Sequence, residues 1–565
     1  MAMSAALVAT WLILLAGLGA ALRVETVNED LEQTYDFIVV GAGVAGGVLA
    51  AKLAELSPES SLLVIETGKD ESANPLLRPS YFFISSKFTH LYRNYFSQEG
   101  PNIDNRRLYH MSTKALGGGS SINAMVWTWG DPRDWQLWTQ KAGGLPGWTY
   151  EDVQPYFQAL ESYEHEDPSG GVADAVRCLR GCNGPVHVSV YKPNNVTRQA
   201  VERASAVFGV PVLKDNNAKV HEGSAVLQRN VRGDQPITAE RQSSWTSFLL
   251  PAKETRPNLQ ILTGATVIRV NLDESSGRAT GVRLLLGGKC IDVDAGEEVI
   301  LSLGGHNTPK LLLLSGIGNS TELAGVGVQG TVELPGVGKN MMDHINPGSL
   351  LFTSKPRDDY DGNLVATYGR TGIVPGELTP DTEFGYIMGP AAEGRENWSK
   401  VPSIHMFYCL MLNHDALGSI RLYSNDPLED PMIESGYFKT EMDRRRVVRI
   451  IRLLFQWASD LAKFVPMEHA MDGPYPLQLT PDSTDEEVLA EVKNKVDTHW
   501  HVSGTARMGT SVDPFAVVDG HFRVHGVAGL RVVDASAMPH LTNGHPMATI
   551  MMMASRAAEW IAAGE

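Results

Sequence analysis

Two groups of residues in this 565-residue chain have the types and spacing to do chemistry. The first is Gly41-Ala42-Gly43-Val44-Ala45-Gly46, which follows an apolar run, Tyr35 to Val40, and precedes a stretch with Ala, Leu and Val on one face from Gly47 to Leu56. Glycines at this spacing let a backbone turn tightly and approach a pyrophosphate, whose charge rests on the N-terminus of the following helix. Glu66 closes a second apolar strand, Leu62 to Ile65, about 20–25 positions on, where a carboxylate accepts from ribose hydroxyls and disfavours a 2′-phosphate. These residues predict a bound dinucleotide without dividing FAD from NAD. The second group lies near the C-terminus, in Thr498-His499-Trp500-His501 and Asn543-Gly544-His545-Pro546. Imidazole titrates near neutral pH, so a neutral ring can take the proton of a substrate hydroxyl. A lone histidine is ordinarily a structural residue, and that reading covers His306, His344, His499 and His525.

The elements that must position these groups follow from periodicity. Strand, glycine turn, helix and strand from Tyr35 to Glu66 form a right-handed crossover in a parallel sheet. Alternating patterns predict strands at Val186–Tyr191, Leu259–Asn271, Ala279–Leu286 and Cys290–Ala295, with hairpin turns near Asn271–Arg278 and Leu286–Lys289. Glu298 to Leu303 reads as a further short buried strand. Residues from about Asn74 to Asn105 have no clear period and read as an extended excursion over the surface. The stretch Pro347 to Tyr437 is rich in Pro, Gly and aromatics with strand-like patches. Glu441 to Lys463 is a helix with Val447, Ile450, Ile451, Leu453, Leu454 and Trp457 on its apolar face. Met551, Met552 and Met553 read as packing in a closing helix.

Composition narrows the partners. With 43% apolar and 20% charged residues the chain can bury a large core. A net charge of −17 repels phosphate backbones, which excludes nucleic acid, and disfavours anionic membrane surfaces, so no stable membrane partner is expected. Met1 to Leu22 carries no charged residue and ends in Gly19, Ala20 and Ala21 before Arg23, the pattern of a secretory signal; an uncleaved anchor is the alternative. Sequons at Asn195, Asn319 and Asn397 agree with a secreted, glycosylated protein. Cys178 and Cys182 are close enough to close a small loop as a disulfide in an oxidising compartment. They have no second ligand pair at zinc spacing, so no metal site is expected there. Cys290 and Cys409 sit among apolar residues and read as buried thiols.

A second glycine cluster, Lys114-Ala115-Leu116-Gly117-Gly118-Gly119-Ser120-Ser121-Ile122-Asn123, separates the cofactors. It is joined by Gly304-Gly305-His306-Asn307-Thr308-Pro309-Lys310 running on to Ser315-Gly316-Ile317-Gly318, and by Val337-Gly338-Lys339-Asn340-Met341-Met342-Asp343-His344. Arg523-Val524-His525-Gly526-Val527 and Leu530-Arg531-Val532-Val533-Asp534-Ala535-Ser536 close the series. From Tyr35 to Ile561 the chain resembles the glucose–methanol–choline (GMC) oxidoreductase family. Gly305 and Thr113 depart from the family's usual residues, while the Gly-Gly and Ser-Gly-Ile-Gly cores are kept. The resemblance implies an α/β fold: a Rossmann-type FAD-binding domain with an interleaved α+β substrate-binding domain carrying an antiparallel sheet. Expected boundaries are a signal peptide over 1–22 and an FAD domain over 35–345, with substrate-domain excursions near 74–105 and 150–215. A mainly substrate-binding part over 346–497 and an FAD-domain return over 498–565 complete the chain. The implied cofactor contacts are Gly41, Gly43, Val44, Ala45, Gly46, Glu66, Gly117, Gly118, Ser120, Asn123, Ala124, Val126, Val267, Trp500, Asp534, Ala535, Pro546 and Met547. Members that attach FAD covalently use a His at the position of Ile122; isoleucine cannot form that bond, which implies noncovalent FAD.

The same resemblance lifts two histidines out of the structural class. His501 falls on the family's His-x-x-Gly-Thr element and His545 on its second His/Asn position. Oxidising an alcohol removes the hydroxyl proton while the α-hydrogen leaves as hydride, so His501 is expected as general base and His545 as hydrogen-bond partner of the same oxygen. Trp500, beside His501, and Tyr408 are expected at the substrate; Tyr386 and Phe407 read as core. The expected partners are a small-molecule alcohol and O2 or another electron acceptor. The site motifs are similar to aryl-alcohol oxidases, mandelonitrile oxidases and hydroxynitrile lyases, and suggest an aromatic α-hydroxy substrate. Cyanohydrin cleavage without net redox is the competing reading, supported by Trp500-His501 and His545-Pro546; Ser503-Gly504-Thr505 favours oxidation. A light-driven decarboxylase lacks its cysteine–arginine context here, and a non-enzymatic descendant would have lost His501 or His545.

Overall fold

The structure, a computed structural model, describes residues 31–71, 74, 90–164, 180–233, 239–390, 399–470 and 476–565. The leader over 1–22, Cys178 with its pairing to Cys182, and the sequon at Asn397 lie outside the described residues.

The elements that place the site begin with β1 (Thr34–Val40), α1 (Val44–Leu56), β2 (Leu62–Glu66) and β3 (Gly223–Val226). They continue through β4 (Leu259–Thr263), β5 (Thr266–Asp273), β6 (Arg278–Leu286), β7 (Lys289–Leu301) and α2 (Gly304–Leu314). Next come β8 (Ser349–Ser354), β9 (Leu364–Gly369), β10 (Thr382–Pro390), β11 (Ser403–Met411) and α3 (Glu441–Ala462). Then follow β12 (Glu468–Ala470), β13 (Leu530–Val532) and α4 (Met547–Ala562). Two sheets organise them.

The first sheet runs β4-β2-β1-β7-β6-β5, with β13 added beside β7. Its β4, β2, β1, β7 and β13 are mutually parallel, and β5, β6 and β7 form antiparallel hairpins. Phe-Ile-Val-Val at the end of β1 and Leu-Leu-Val-Ile in β2 are buried throughout, as a parallel strand covered on both faces requires. One cover is α1, whose buried side is almost entirely Ala, Gly, Val and Leu, small enough for α4 to pack closely across it. Met551, Met552 and Met553 are fully buried in α4, so packing is their role.

The second sheet is antiparallel, β12-β8-β11-β10-β9-β3, in continuous register from Thr382↔Met411 to Pro390↔Ser403. Tyr386, Phe407 and Trp457 meet in its core, with Phe407 and Trp457 edge to face at 5.2 Å, which bears out the core reading of those aromatics. The amphipathic helix α3 lays Val447, Ile450, Ile451 and Leu454 into the same cluster. Among the described residues no helix is long and apolar enough to cross a membrane.

Several expectations need correction. Leu259–Asn271 is not one strand: it breaks at Gly264, whose φ of +71° turns the chain between β4 and β5. Conversely, the predicted Cys290–Ala295 and Glu298–Leu303 strands are one strand, β7, because its two halves pair with different neighbours, β6 and β1. Within β7 Cys290 is exposed on the hairpin end, so only Cys409 is a buried thiol. Inside the supposed irregular excursion, Tyr92–Phe96 pairs antiparallel with Tyr109–Thr113.

The glycine turn is fixed by contact with its surroundings. Gly41 has a φ of +101°, and a Cβ there would stand 2.5 Å from the carbonyl oxygen of Ser302. A Cβ on Gly46 would stand 1.9 Å from the carbonyl oxygen of Gly41, so helix and turn touch backbone to backbone. Neither atom can move without shifting the sheet. Gly46→Ala is therefore expected to cost roughly 3 kcal/mol, the upper end of overpacking penalties, read as a lowered thermal midpoint. Gly325→Ala, where nothing lies within 4 Å of the added Cβ, should leave the midpoint nearly unchanged.

Candidate active site

A cleft opens where β1, β2 and β7 end, at the carboxyl edge of the parallel strands. It is lined by Gly41, Gly43, Val44, Ala45, Glu66, Gly118, Val267, Trp500, Asp534 and Ala535, ten of the positions expected at a dinucleotide. The N-cap of α1, Gly43, has no side chain to satisfy the first-turn N–H groups, so these point into the cleft as an anion site. Gly118 comes so close to Gly43 that a Cβ would be 2.7 Å from the Gly43 Cα, whereas Gly119 and Gly304 face open space. Two glycine turns thus form a cradle that any side chain would fill. Glu66 is buried at the far end; its Oε2 accepts from Ala42 N at 3.0 Å and its Oε1 from Gly68 N at 2.8 Å. Burial, only partly offset by these hydrogen bonds, pushes its carboxyl up to about 7. The cradle, the uncapped helix and the buried acid fit the phosphates and ribose of FAD.

Other expected contacts serve the cradle from behind. Gly46 packs under the turn, and Gly117, at a φ of +85°, carries the carbonyl that accepts from Ser120 Oγ at 2.6 Å. Ser120 Oγ also receives the N–H of Ser244 at 3.0 Å. Asp534 spends its carboxylate within the protein, accepting from Gly304 N and Thr308 Oγ1 on one oxygen and from Ser536 on the other. It therefore holds the start of α2 against the cleft. Asn123 bridges through its Nδ2 to Met547 Sδ at 3.1 Å, and its Oδ1 accepts from Arg241 at 2.8 Å. Pro546 is the N-cap of α4 and Met547 its first residue. Ala124 and Val126 pack away from the cleft, in the cluster of Tyr368, Tyr408 and Leu410.

The C-terminal histidines meet at the loop whose Trp500 and Val502 line the cleft. The ladder of Ile345–Asn346 against Asp497–Thr498 carries the chain out of the second sheet, and the 498–501 loop then turns sharply. Trp500 sits at a φ of +57°, exposed, with its indole N–H on Tyr109 O at 3.3 Å. Left-handed backbone in a bulky residue is costly and persists only where surroundings enforce it. Asp343 does so here. Its Oδ1 accepts the N–H of His501 at 2.9 Å, and its Oδ2 accepts the hydroxyls of Tyr437, at 2.7 Å, and Thr498. Burial raises the Asp343 carboxyl to about 6, held from going further by those donors.

His501 and His545 lie with ring centroids 5.1 Å apart, nearly perpendicular. His499, expected as structural, joins them at 4.9 and 5.4 Å. Behind His501 stands His344, Nδ1 to Nδ1 at 2.9 Å. Between neutral imidazoles one ring must donate. If His501 donates, its Nε2 is left as a bare lone pair, and His344 carries its own proton on Nε2, which has no partner among the described residues. Burial first, then the neighbouring imidazoles, pushes His501 and His344 well below the usual histidine range and His499 down to about 3. The cluster is therefore uncharged at neutral pH at these three positions.

His545 faces Glu383, Nε2 to Oε1 at 3.4 Å, and Tyr408 donates to the same oxygen at 3.4 Å. Glu383 is completely buried. Burial alone would raise its carboxyl, but the adjacent His545 imidazole and its hydrogen bond, with smaller contributions from His499 and Tyr368, outweigh that and hold it below the usual carboxylate range. Sequence reasoning missed Glu383 and the role of His344, because their contacts join segments more than a hundred residues apart, and it missed His499, because nothing in the motif shows that its ring turns toward His545. Only the Asp343-His344 motif offered a signal. His525, bonded to Gly509 O at 3.0 Å, remains structural, and so does buried His306, although it borders the cleft.

Residues 35–346 and 414–554 match two family models, each described as GMC oxidoreductase. The chain is similar to an oxygen-dependent choline dehydrogenase of Rhizobium meliloti (strain 1021), 31% identical over 558 residues, covering 93% of this chain and 95% of that protein. A protein of the same name from Staphylococcus aureus (strain MSSA476) is 32% identical over 557 residues, covering 94% and 93%. Among solved structures, pyridoxine 4-oxidase from Mesorbium loti superposes with a TM-score of 0.78 at 26% identity, covering 93% of this chain and 98% of that one. A fungal aryl-alcohol oxidase shares the fold, with a TM-score of 0.79 at 22% identity and coverage of 94% and 100%. Matched across both halves by the family models and over nearly all its length by relatives above 30% identity, this chain belongs to the GMC oxidoreductase family and binds FAD.

Proposed function

We propose that this protein oxidises an alcohol, with an aromatic α-substituted alcohol or cyanohydrin as the preferred class, to the corresponding carbonyl compound, with oxygen as final acceptor. The observation that carries the reading is the convergence of neutral His501 with His545, 5.1 Å between ring centroids, at a loop whose Trp500 and Val502 line the cofactor cleft. Bound FAD supplies the two-electron acceptor. His501 takes the hydroxyl proton at Nε2, in the tautomer set when its Nδ1–H donates to His344. His545, steadied by Glu383, holds the same oxygen by a hydrogen bond and so orients the C–H. Asp343 keeps the His501 backbone fixed while the ring works. Tyr408, tied to Glu383, and exposed Trp500 at the cleft support an aromatic substrate. The uncharged leader and the sequons at Asn195, exposed on the first turn of a helix, and Asn319 support a secreted setting.

Anaerobic mixing of the purified protein with benzylic alcohols, mandelonitrile and choline tests the reaction. Bleaching of the flavin by a benzylic substrate is expected, followed by oxygen uptake when air is admitted. Aldehyde and cyanide from mandelonitrile without bleaching would make it a lyase, and bleaching by choline alone would overturn the aromatic assignment. His501→Ala should slow flavin reduction by about 10²–10⁴-fold, the range for loss of a general base; an unchanged rate removes His501 from that role.

The depressed His501 also sets a pH profile. A base whose protonation is pushed well below neutrality stays competent as pH falls. Flavin reduction at saturating alcohol should therefore remain level from pH 8 to pH 6. An imidazole with an ordinary pKa would be about three-quarters protonated at pH 6 and would lose rate in proportion. A loss of that size would contradict the neutral cluster.

A further inference from the structure

We propose that His499, His501 and His545 form a site for one Zn²⁺ ion, whose occupation blocks the substrate end of the cleft. The three side chains each offer a ring nitrogen, and these atoms all lie within 4.8 Å of one another. Zinc takes imidazole nitrogen at about 2.0–2.1 Å, which in a tetrahedral set puts ligand atoms about 3.3 Å apart. Small side-chain rotations close the difference. The rings meet edge to face, at 69° to 85°, so their nitrogen-bearing edges can turn toward a common point, which stacked rings could not do.

The surroundings resemble the outer layer of a zinc site. Glu383 accepts from one ring nitrogen of His545 and leaves the other for an ion, the carboxylate–histidine–metal arrangement that fixes the ring and raises its basicity. His344 engages Nδ1 of His501 and leaves Nε2. The third ring, His499, is anchored by its backbone, N to His344 O at 3.1 Å. Three histidines and one position left for water or substrate is the open coordination that catalytic zinc sites use, but here the fourth position is where the alcohol oxygen must sit. His501 and His545 are required by the proposed reaction; His499 is not, and it is the residue that turns a catalytic pair into a ligand triad. The ion and the alcohol therefore compete for the same lone pairs.

The blocking part of this inference rests on the proposed alcohol oxidation; the binding part does not. Equilibrium dialysis of the FAD-loaded enzyme against Zn²⁺ at micromolar concentrations, with metal measured by atomic absorption, should give one ion per chain, released by EDTA. Zn²⁺ should raise the apparent KM for the alcohol at unchanged kcat. His499→Phe and, separately, His499→Asn should weaken binding by at least 100-fold with flavin retained, and Glu383→Gln by about 10–100-fold, the usual effect of losing an outer-layer partner. No saturable binding up to about 100 μM, or binding indifferent to both His499 substitutions, overturns the site. Binding that depends on His499 yet leaves KM unchanged overturns the block. Zinc bound through His499 in a protein that oxidises no alcohol would sink the proposed reaction and leave the site standing.

Discussion

The buried carboxylate of Asp343 is the joint on which the site turns. It lies in the Asp343-His344 segment that leads into the second sheet, yet its acceptors are taken by groups from elsewhere: the Tyr437 hydroxyl, the Thr498 hydroxyl and the His501 N–H. An unpaired carboxylate at this depth would cost several kcal/mol, so the three donors are held as firmly as the acid is buried. That requirement binds the 498–501 loop to the sheet end. It also accounts for Trp500, whose left-handed backbone lies between two residues that Asp343 pins. The neighbouring side chain, His344, reaches the ring of His501 from the same short segment. One dipeptide thus meets the backbone of His501 through its first residue and the ring of His501 through its second.

A second constraint comes from the opposite side of the cleft. Gly118 approaches Gly43 until a Cβ on Gly118 would not fit, and Ser120, Ser244 and Arg241 tie the second turn in place. Arg241 is buried, and burial lowers its guanidinium to about 9, with Arg229 adding to the effect. A cation kept at such cost needs several acceptors, and it finds the carbonyls of Ser120 and Asn123 and the Asn123 side chain. The two glycine turns and the Asp343 joint belong to different sheets, so the distance between cofactor cradle and histidine cluster is set by how the sheets pack, not by any loop.

This division explains what could be read from the sequence. The β1-α1-β2 unit was legible because its signal is local: a doubly buried strand has a continuous apolar run, and a close turn needs glycine. The long helix α3 was legible from its periodicity for the same reason. Strand limits were not: β7 runs straight through the polar Gly296-Glu297-Glu298 where it changes partners, and Gly264 ends β4 by conformation, not polarity. Cys290 misled because its apolar neighbours alternate with it across β7, placing them inside and the thiol outside. His501 and His545 were found through motifs, whereas Glu383 sits in a strand that reads as ordinary alternation. No spacing rule connects position 383 to position 545; only the packing of β10 against the loop before α4 does.

The electrostatics of the cluster follow from the same packing. Four imidazoles, His344, His499, His501 and His545, share one buried space, and repulsion between protonated rings adds to the burial penalty at three of them. Glu383 opposes this at one edge only, beside His545. The result is a difference across a few ångströms: a carboxylate faces the ring of His545, whereas the ring of His501 faces the neutral ring of His344 and meets the Asp343 carboxylate only through its backbone N–H. A histidine backed by a carboxylate has its ring orientation and the proton on Nε2 fixed by that partner, and one backed by a neutral imidazole is suited to accept a proton. The asymmetry of these neighbours therefore distinguishes two chemically identical side chains.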